Sequence, residues 1–196
     1  MSRIAITGGS GFLGWHTACR LRAVYGVEPV LLGRGELAEP AALDDALGRV
    51  DAVLHLAGVN RAESDDEVEN GNIELAETVA RALVERARPL HVVYANSIQA
   101  ALDNPYGRGK RRASELLARA VGSTGGRFTD LLLPNLFGEH GRPAYNSFVA
   151  TFAHEVAHDR SPTVTGDRQV PLLHAQDAAE AMVQAVVTGA TGQLAP

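Results

Sequence analysis

Of the 18 basic side chains in this 196-residue sequence, only Lys110 is a lysine, and it lies four residues after a tyrosine in Tyr106-Gly107-Arg108-Gly109-Lys110. In a helix, positions i and i+4 point the same way, so the ammonium can sit beneath the phenol. A compact ammonium can contact a ribose and favour the phenolate, whereas a planar guanidinium is shaped for other work. Moving a phenol from its ordinary value of about 10 toward neutrality takes ~3 pKa units. Nine residues before Tyr106, Ser97 follows the apolar run Leu90–Ala95. There its hydroxyl can hold a carbonyl oxygen while Tyr106 gives that oxygen a proton and a nicotinamide supplies hydride.

A second set of residues could hold that nicotinamide. Ile4-Ala5-Ile6-Thr7 runs into Gly8-Gly9-Ser10-Gly11-Phe12-Leu13-Gly14, with a helix-period segment directly after. A glycine triplet between a first strand and a first helix is the context a dinucleotide fingerprint requires. Gly8 can make the tight turn, Gly11 lets the backbone approach a pyrophosphate, and Gly14 permits close helix–strand packing. The helix N-terminus offers unpaired N–H groups to the phosphates. The second apolar run ends at Gly33-Arg34 with no acid at its end, Glu36 being nearest. An arginine there suits the 2′-phosphate of NADP, whereas an acid would accept the ribose hydroxyl of NAD. NADP is therefore expected, with NAD as the alternative cofactor.

These residues need a scaffold that brings strand ends together. Apolar runs at Arg3–Thr7, Val27–Leu32, Asp51–Leu56, Leu90–Ala95 and Phe128–Leu133 alternate with helical segments at Phe12–Tyr25, Pro40–Leu47, Glu67–Arg88 and Pro105–Val121. Runs apolar throughout, separated by amphipathic helices, are strands covered on both faces. The fold class is α/β, a Rossmann-type doubly wound parallel sheet with right-handed crossovers. Residues 1–133 are expected to form the dinucleotide-binding core of a single domain. Residues 134–196, with helices near Ser147–Asp159 and Gln176–Val187, would form a small C-terminal substrate lobe over the strand ends.

A net charge of −5 and a pI near 5.8 exclude a basic nucleic-acid or anionic-membrane surface. Cys19 is the single cysteine, which excludes an internal disulfide framework and a cysteine-rich zinc site. No apolar stretch reaches the ~20 residues that span a bilayer, so a soluble, cytoplasmic protein is expected.

One motif competes. His154-Glu155-Val156-Ala157-His158 matches H-E-x-x-H on an expected helix, where two histidines could hold zinc and the glutamate act as base. Asp177 or Glu180 could add a third ligand. Phe148, Phe152 and Val156 mark the expected buried face, which leaves the histidines solvated. No metal is expected, and a zinc hydrolase is kept as an alternative from another class.

The spacing G-x-x-G-x-x-G followed by Phe12, the Tyr106–Lys110 pair and Ser97 resemble the extended short-chain dehydrogenase/reductases. His55-Leu56-Ala57-Gly58 resembles their HxAG motif, and Asn72 the asparagine of their NVxGT segment. Four segments, His55–Arg61, Ser97–Lys110, Pro134–Gly138 and Arg142–Phe152, are more specific. They resemble the capsular-polysaccharide reductases that act on a UDP-linked 4-keto-6-deoxy-N-acetylhexosamine. The resemblance implies that Ser97, Tyr106 and Lys110 are catalytic. It implies that Gly8, Gly11, Phe12, Leu13, Gly14, Arg34, Leu56, Ala57, Gly58, Asn72, Tyr106, Lys110 and Pro134 hold the cofactor. Ser97, Asn135, Arg142 and Asn146 would contact a nucleotide-sugar or another small carbonyl substrate, and a homodimer is compatible with the family. Family members carry a fuller substrate lobe and a cupin-type domain. The chain also departs from them at Leu132 (arginine in the family), Gly109 (serine) and Glu139-His140-Gly141. Ile98-Gln99 after Ser97 disfavours a dehydratase. An epimerase with retained NAD and a catalytically silent dinucleotide-binding protein remain as alternatives.

Overall fold

Each apolar run that can be covered on both faces becomes a parallel strand, and each amphipathic segment becomes a crossover helix. The computed structural model describes residues 2–164, 166, 167 and 169–196. The strands are Ile4–Thr7 (β1), Val30–Leu32 (β2), Ala52–His55 (β3), His91–Ser97 (β4), Arg127–Leu133 (β5), Asn135–Phe137 (β6), Leu172–His174 (β7) and Gly192–Leu194 (β8). Six of them form one sheet in the order β2-β1-β3-β4-β5-β8, every neighbouring pair parallel. Strands β6 and β7 pair separately. The chain leaves β1 for β2 on one side and returns to β3 on the other. The switch point, where open α/β sheets bind ligands, therefore lies at the C-terminal ends of β1 and β3.

The two sheet faces bury different halves of each strand. Ala5, Val53, Val92 and Tyr94 pack with Leu83 of Asp65–Arg86 (α4) and with Ala113 and Leu117 of Pro105–Ser123 (α5). Ile6, Leu54, Val93 and Leu131 pack with Leu21 and with Met182 and Val183. These last come from Phe12–Tyr25, the first helix (α1), and Ala175–Thr188, the last (α7). Local signals set the ends of the two long helices. Ser64 caps α4 by accepting from Glu67 N at 3.2 Å, and Asp65, Asp66 and Glu67 face the positive end of its dipole. Asn104 Oδ1 accepts from Gly107 N at 2.7 Å and Pro105 opens α5, a residue whose missing N–H costs nothing there.

Three expectations change. Strand β8, whose three residues carry no apolar periodicity, extends the sheet beyond β5, and α7 packs beside α1. Residues 175–194 thus belong to the core, and the segment outside it is 134–174. A five-residue helix, Arg34–Ala38, precedes Pro40–Arg49 where a loop was expected. The apolar face expected on Phe148–Ala157, the helix after β6, is not buried. Phe148 is 43% and Val156 62% exposed, and Phe148 meets the edge of Phe152 at 5.7 Å. Among the described residues, no helix is long and apolar enough to cross a membrane.

The α1–α7 contact is polar at its rim. Glu180 accepts from the Arg20 guanidinium, from the Tyr25 hydroxyl at 2.7 Å and from Gln184 Nε2 at 3.0 Å. The Arg20 bond, ahead of the others, holds the Glu180 carboxyl below its ordinary value of 4.5. A depressed carboxyl contributes stability that is complete above its unfolded value and lost as pH falls through its folded one. Glu180→Gln should therefore lower stability at pH 7 by about 1 kcal/mol, the discounted worth of a partly exposed charged pair. In urea unfolding, the gap between wild type and variant should close as pH drops below 4.5.

Candidate active site

The glycine turn follows β1 at the switch point. Gly8 adopts φ +69°, open to glycine, and a Cβ there would stand 2.8 Å from Ala57 N. A Cβ on Gly14 would come within 2.2 Å of Gly8 O, so α1 can start here only with glycine in its first turn. Gly11 is the N-cap and no side chain caps the helix, leaving the first-turn N–H groups of Phe12, Leu13 and Gly14 for a ligand. An uncapped helix end over a cradle that a Cβ would fill fits a pyrophosphate. The opposite wall is Leu56–Gly58, where Ala57 N donates to Thr7 Oγ1 at 3.2 Å. Asn72 differs from expectation: Oδ1 accepts from Val59 N at 3.2 Å, and Nδ2 donates to Val59 O and Val68 O at 2.7 and 2.8 Å. Both its amide protons are spent bracing this wall from α4.

Arg34 stands exposed just past β2. The carboxylate of Glu36, two residues on, folds back to accept from Gly33 N at 2.8 Å. A cation and an acid thus share the end of β2, which the sequence reading, with Glu36 beyond the strand, did not foresee.

The residues expected to handle the proton meet where β4 ends. Ser97 is its last residue, 8% exposed, and its Oγ accepts from Gln99 N at 3.2 Å, which leaves its own proton to the Tyr106 phenol in the chain alone. Tyr106, on the first turn of α5, lies beside it. Burial pushes the phenol up to about 12, and a hydrogen bond from Ser97 pulls it partly back. Lys110, one turn on, is 4% exposed and donates to Ala95 O at 2.6 Å. Burial brings the ammonium down to about 7, with Asp130 opposing. The expected depression of the phenol by Lys110 is therefore absent in the chain alone, because Nζ is engaged by Ala95 and by the face of Tyr94, 4.3 Å from its centroid. Helix α5 comes this close because of two glycines. A Cβ on Gly107 would lie 2.2 Å from Gln99 O, and one on Gly109 would lie 2.8 Å from Glu69 O.

Beneath Lys110 runs a row that sequence reasoning missed. Thr7, His55, Tyr94, Asp130 and Gln193 are register partners on successive strands, so their side chains share one face. His55 Nδ1 and Thr7 Oγ1 share a hydrogen bond at 2.7 Å, and Thr7 Oγ1 also accepts from Ala57 N. Burial, then Lys110, lowers His55 to about 3, so its ring, stacked on Tyr94 at 5.5 Å, is neutral. A polar residue inside a run apolar on both faces was the available signal.

The expected substrate contacts are less converged. Asn135 Nδ2 donates to Pro171 O at 3.4 Å, within the β6–β7 pair that follows Pro134. Arg142 and Asn146 are exposed, and the guanidinium groups of Arg142 and Arg61 lie 5.3 and 5.4 Å from the centre of the Tyr145 ring. Arg61 was not expected here. The departing loop at Glu139 is clamped on α1: His16 Nε2 donates to Glu139 O at 3.0 Å and accepts at Nδ1 from Gln176 Nε2 at 3.0 Å. The H-E-x-x-H motif is spent differently. Glu155 takes both prongs of Arg160, at 2.7 and 2.9 Å, and Glu180 belongs to the α1–α7 contact. Among the described residues, no three histidine, cysteine or acidic side chains converge.

Residues 4–194 match the NAD dependent epimerase/dehydratase family. The chain is 38% identical over 157 residues to a UDP-2-acetamido-2,6-beta-L-arabino-hexul-4-ose reductase of Pseudomonas aeruginosa, covering 80% of this chain but 42% of that protein. The capsular polysaccharide assembling protein CapF of Staphylococcus aureus superposes with a TM-score of 0.78 at 31% identity, over 98% of this chain and 51% of CapF. A UDP-N-acetylglucosamine 4-epimerase of Bacillus cereus superposes with a TM-score of 0.85 at 23% identity, over 100% of this chain and 75% of the other, and shows the same fold.

The turn's geometry makes a direct expectation. Gly14→Ala should weaken dinucleotide binding at least tenfold in calorimetry, because the Cβ must push apart the turn that approaches the phosphates. Far-UV circular dichroism should change little.

Proposed function

This chain belongs to the NAD dependent epimerase/dehydratase family, and we propose that it reduces the 4-keto group of a nucleotide-activated deoxy sugar. The observation that carries the reading is the meeting of Ser97, Tyr106 and Lys110 at the end of β4, beside the glycine turn after β1. The likeness to a reductase of a UDP-linked hexul-4-ose supports the substrate class. When bound, the nicotinamide supplies hydride to one face of the carbonyl carbon. Ser97 donates a hydrogen bond to the carbonyl oxygen and lowers the charge it must carry. Tyr106, fully protonated at neutral pH because burial raises it, gives that oxygen its proton. Lys110 leaves Ala95 O for a ribose hydroxyl, bringing its charge nearer the phenol and making the proton easier to release. Arg61 and Arg142, both beside the Tyr145 ring, suit the diphosphate of the sugar nucleotide. Loss of the same phenol would also stop an epimerase with retained NAD; product analysis separates the two, since a reductase consumes one NADPH per sugar.

NADPH is the proposed reductant, on the strength of Arg34 at the end of β2; the Glu36 carboxylate at the same place favours NADH as the second reading. Calorimetry with both nucleotides decides. Arg34→Ala should weaken NADPH by ~1.5–3 kcal/mol, the worth of charged hydrogen bonds, and leave NADH nearly unchanged. Equal affinities in the wild type would remove the role given to Arg34.

Turnover is the test of the mechanism, with 4-keto UDP- and dTDP-sugars as substrates. General acid catalysis contributes ~10²–10⁴ in rate, so Tyr106→Phe should lose at least that in kcat with cofactor affinity nearly intact. Lys110→Arg should lose turnover and cofactor affinity together. A fully active Lys110→Arg would sink the argument from the single lysine.

A further inference from the structure

The charge of Lys110 is the least supported charge in the molecule. Its ammonium meets one carbonyl oxygen and the face of one ring, and no carboxylate touches it. Every element around it contributes a facing group. From β3 comes neutral His55 and from β4 the ring of Tyr94; Tyr106 shares α5 with Lys110, and the amide of Asn72 on α4 is spent on Val59 and Val68. The remaining face belongs to β5, which contributes Asp130.

Asp130 is unusual in three ways. It is 7% exposed, and its Oδ1 is buried with no hydrogen-bond partner. Its Oδ2 takes one neutral bond, from Gln193 Nε2 at 3.2 Å. It is also the register partner of Tyr94, the residue whose ring lies 4.3 Å under the ammonium. Partners on neighbouring strands are ~4.8 Å apart and point to the same face. The one unsatisfied buried carboxylate oxygen among the described residues and the ammonium of the single lysine therefore flank one tyrosine. Arg111, which lines the small pocket next to Asp130, gives Nη1 to Ala100 O at 2.8 Å instead.

We propose that Asp130 is the counter-ion of Lys110, a positioning residue that keeps the ammonium protonated and seated over Tyr94 without touching substrate or cofactor. Two opposite charges separated by a ring, with Lys110 4% and Asp130 7% exposed, attract more strongly than across solvent. The direction of the effect agrees: Asp130 opposes the loss of the Lys110 proton that burial drives. The catalytic meaning of the pair rests on the reductase reading above; the pair itself does not.

Because the chain has a single lysine, the test can read Lys110 directly. Protein carrying ¹³C at the lysine ε-carbon, on a lysine-free tag, gives one side-chain resonance to follow against pH without any turnover. In the wild type it should titrate near 7. In Asp130→Asn the midpoint should fall by about one pH unit, the low end of what a nearby opposite charge gives, and Asp130→Glu should restore most of it. Should Asp130→Asn fail to fold, Gln193→Arg serves, because Gln193 is exposed and a cation there competes for Asp130. That variant too should lower the midpoint. In the reductase assay the Lys110-dependent limb of the pH profile should move down with it, whereas a merely structural defect would lower kcat at every pH. An unmoved lysine midpoint in a folded Asp130→Asn or Gln193→Arg chain overturns the proposal. An absence of turnover with a moved midpoint overturns the reductase reading and leaves the pair standing.

Discussion

Burying an ammonium with no carboxylate against it is the demand around which the C-terminal edge of this sheet is arranged. Lys110 loses most of its hydration at 4% exposure, and an isolated charge in such a place either neutralises or is held by dipoles and partners. The Ala95 carbonyl, at 2.6 Å, supplies the dipole. The face of Tyr94 supplies a cation–π contact that desolvation strengthens. His55 is kept uncharged so that no second cation competes. The close approach of α5 follows from the same demand, since a Cβ at Gly107 or Gly109 would push the helix, and the lysine with it, off the strand end.

The other half of the site answers to an anion. The glycine turn leaves the start of α1 uncapped and its backbone open, while α1 is fixed from behind by Glu180, Gln184 and Gln176 on α7. One helix thus links the phosphate cradle to the β6–α7 segment through His16 and the Glu139 carbonyl. A displacement of that loop would be felt in the first turn of α1, where a dinucleotide's phosphates would lie. The two halves meet at the switch point because β1 and β3 are neighbours and β4 is next. A donor placed after β1 and an acid placed after β4 then face one crevice.

The phenol is raised rather than lowered by its surroundings in the chain alone. That suits a proton donor waiting for substrate, since it stays fully protonated across the working range. Efficiency then depends on the phenol's becoming more acidic as the site fills. Burial brings the neighbouring lysine down to about 7, with Asp130 opposing. The acid and its neighbouring cation are in this way tuned by burial on one side and by ligand on the other.

The residue spacing alone determined the parallel α/β sheet, the glycine turn and the Ser97–Tyr106–Lys110 set. Each is local: a run of apolar residues, a glycine at a strand end, or an i, i+4 pair carries its meaning within a few positions. The H-E-x-x-H motif was equally legible and was read as a solvated pair with no metal expected; that Arg160, five residues past Glu155, takes the carboxylate is seen only in the structure. The exposed face of Phe148–Ala157 shows what such local patterns leave open: apolar periodicity says which residues share a side, and only a packed neighbour decides whether that side is inside. Strand β8, the return of α7 to the core, the spent amide of Asn72 and the Thr7–His55–Tyr94–Asp130–Gln193 row could be decided only by the tertiary structure. Members of that row lie up to 63 residues from the partner they bond, and their alignment depends on the register of five strands at once. No window of sequence contains that register, because it is set by the simultaneous packing of helices on both faces of the sheet.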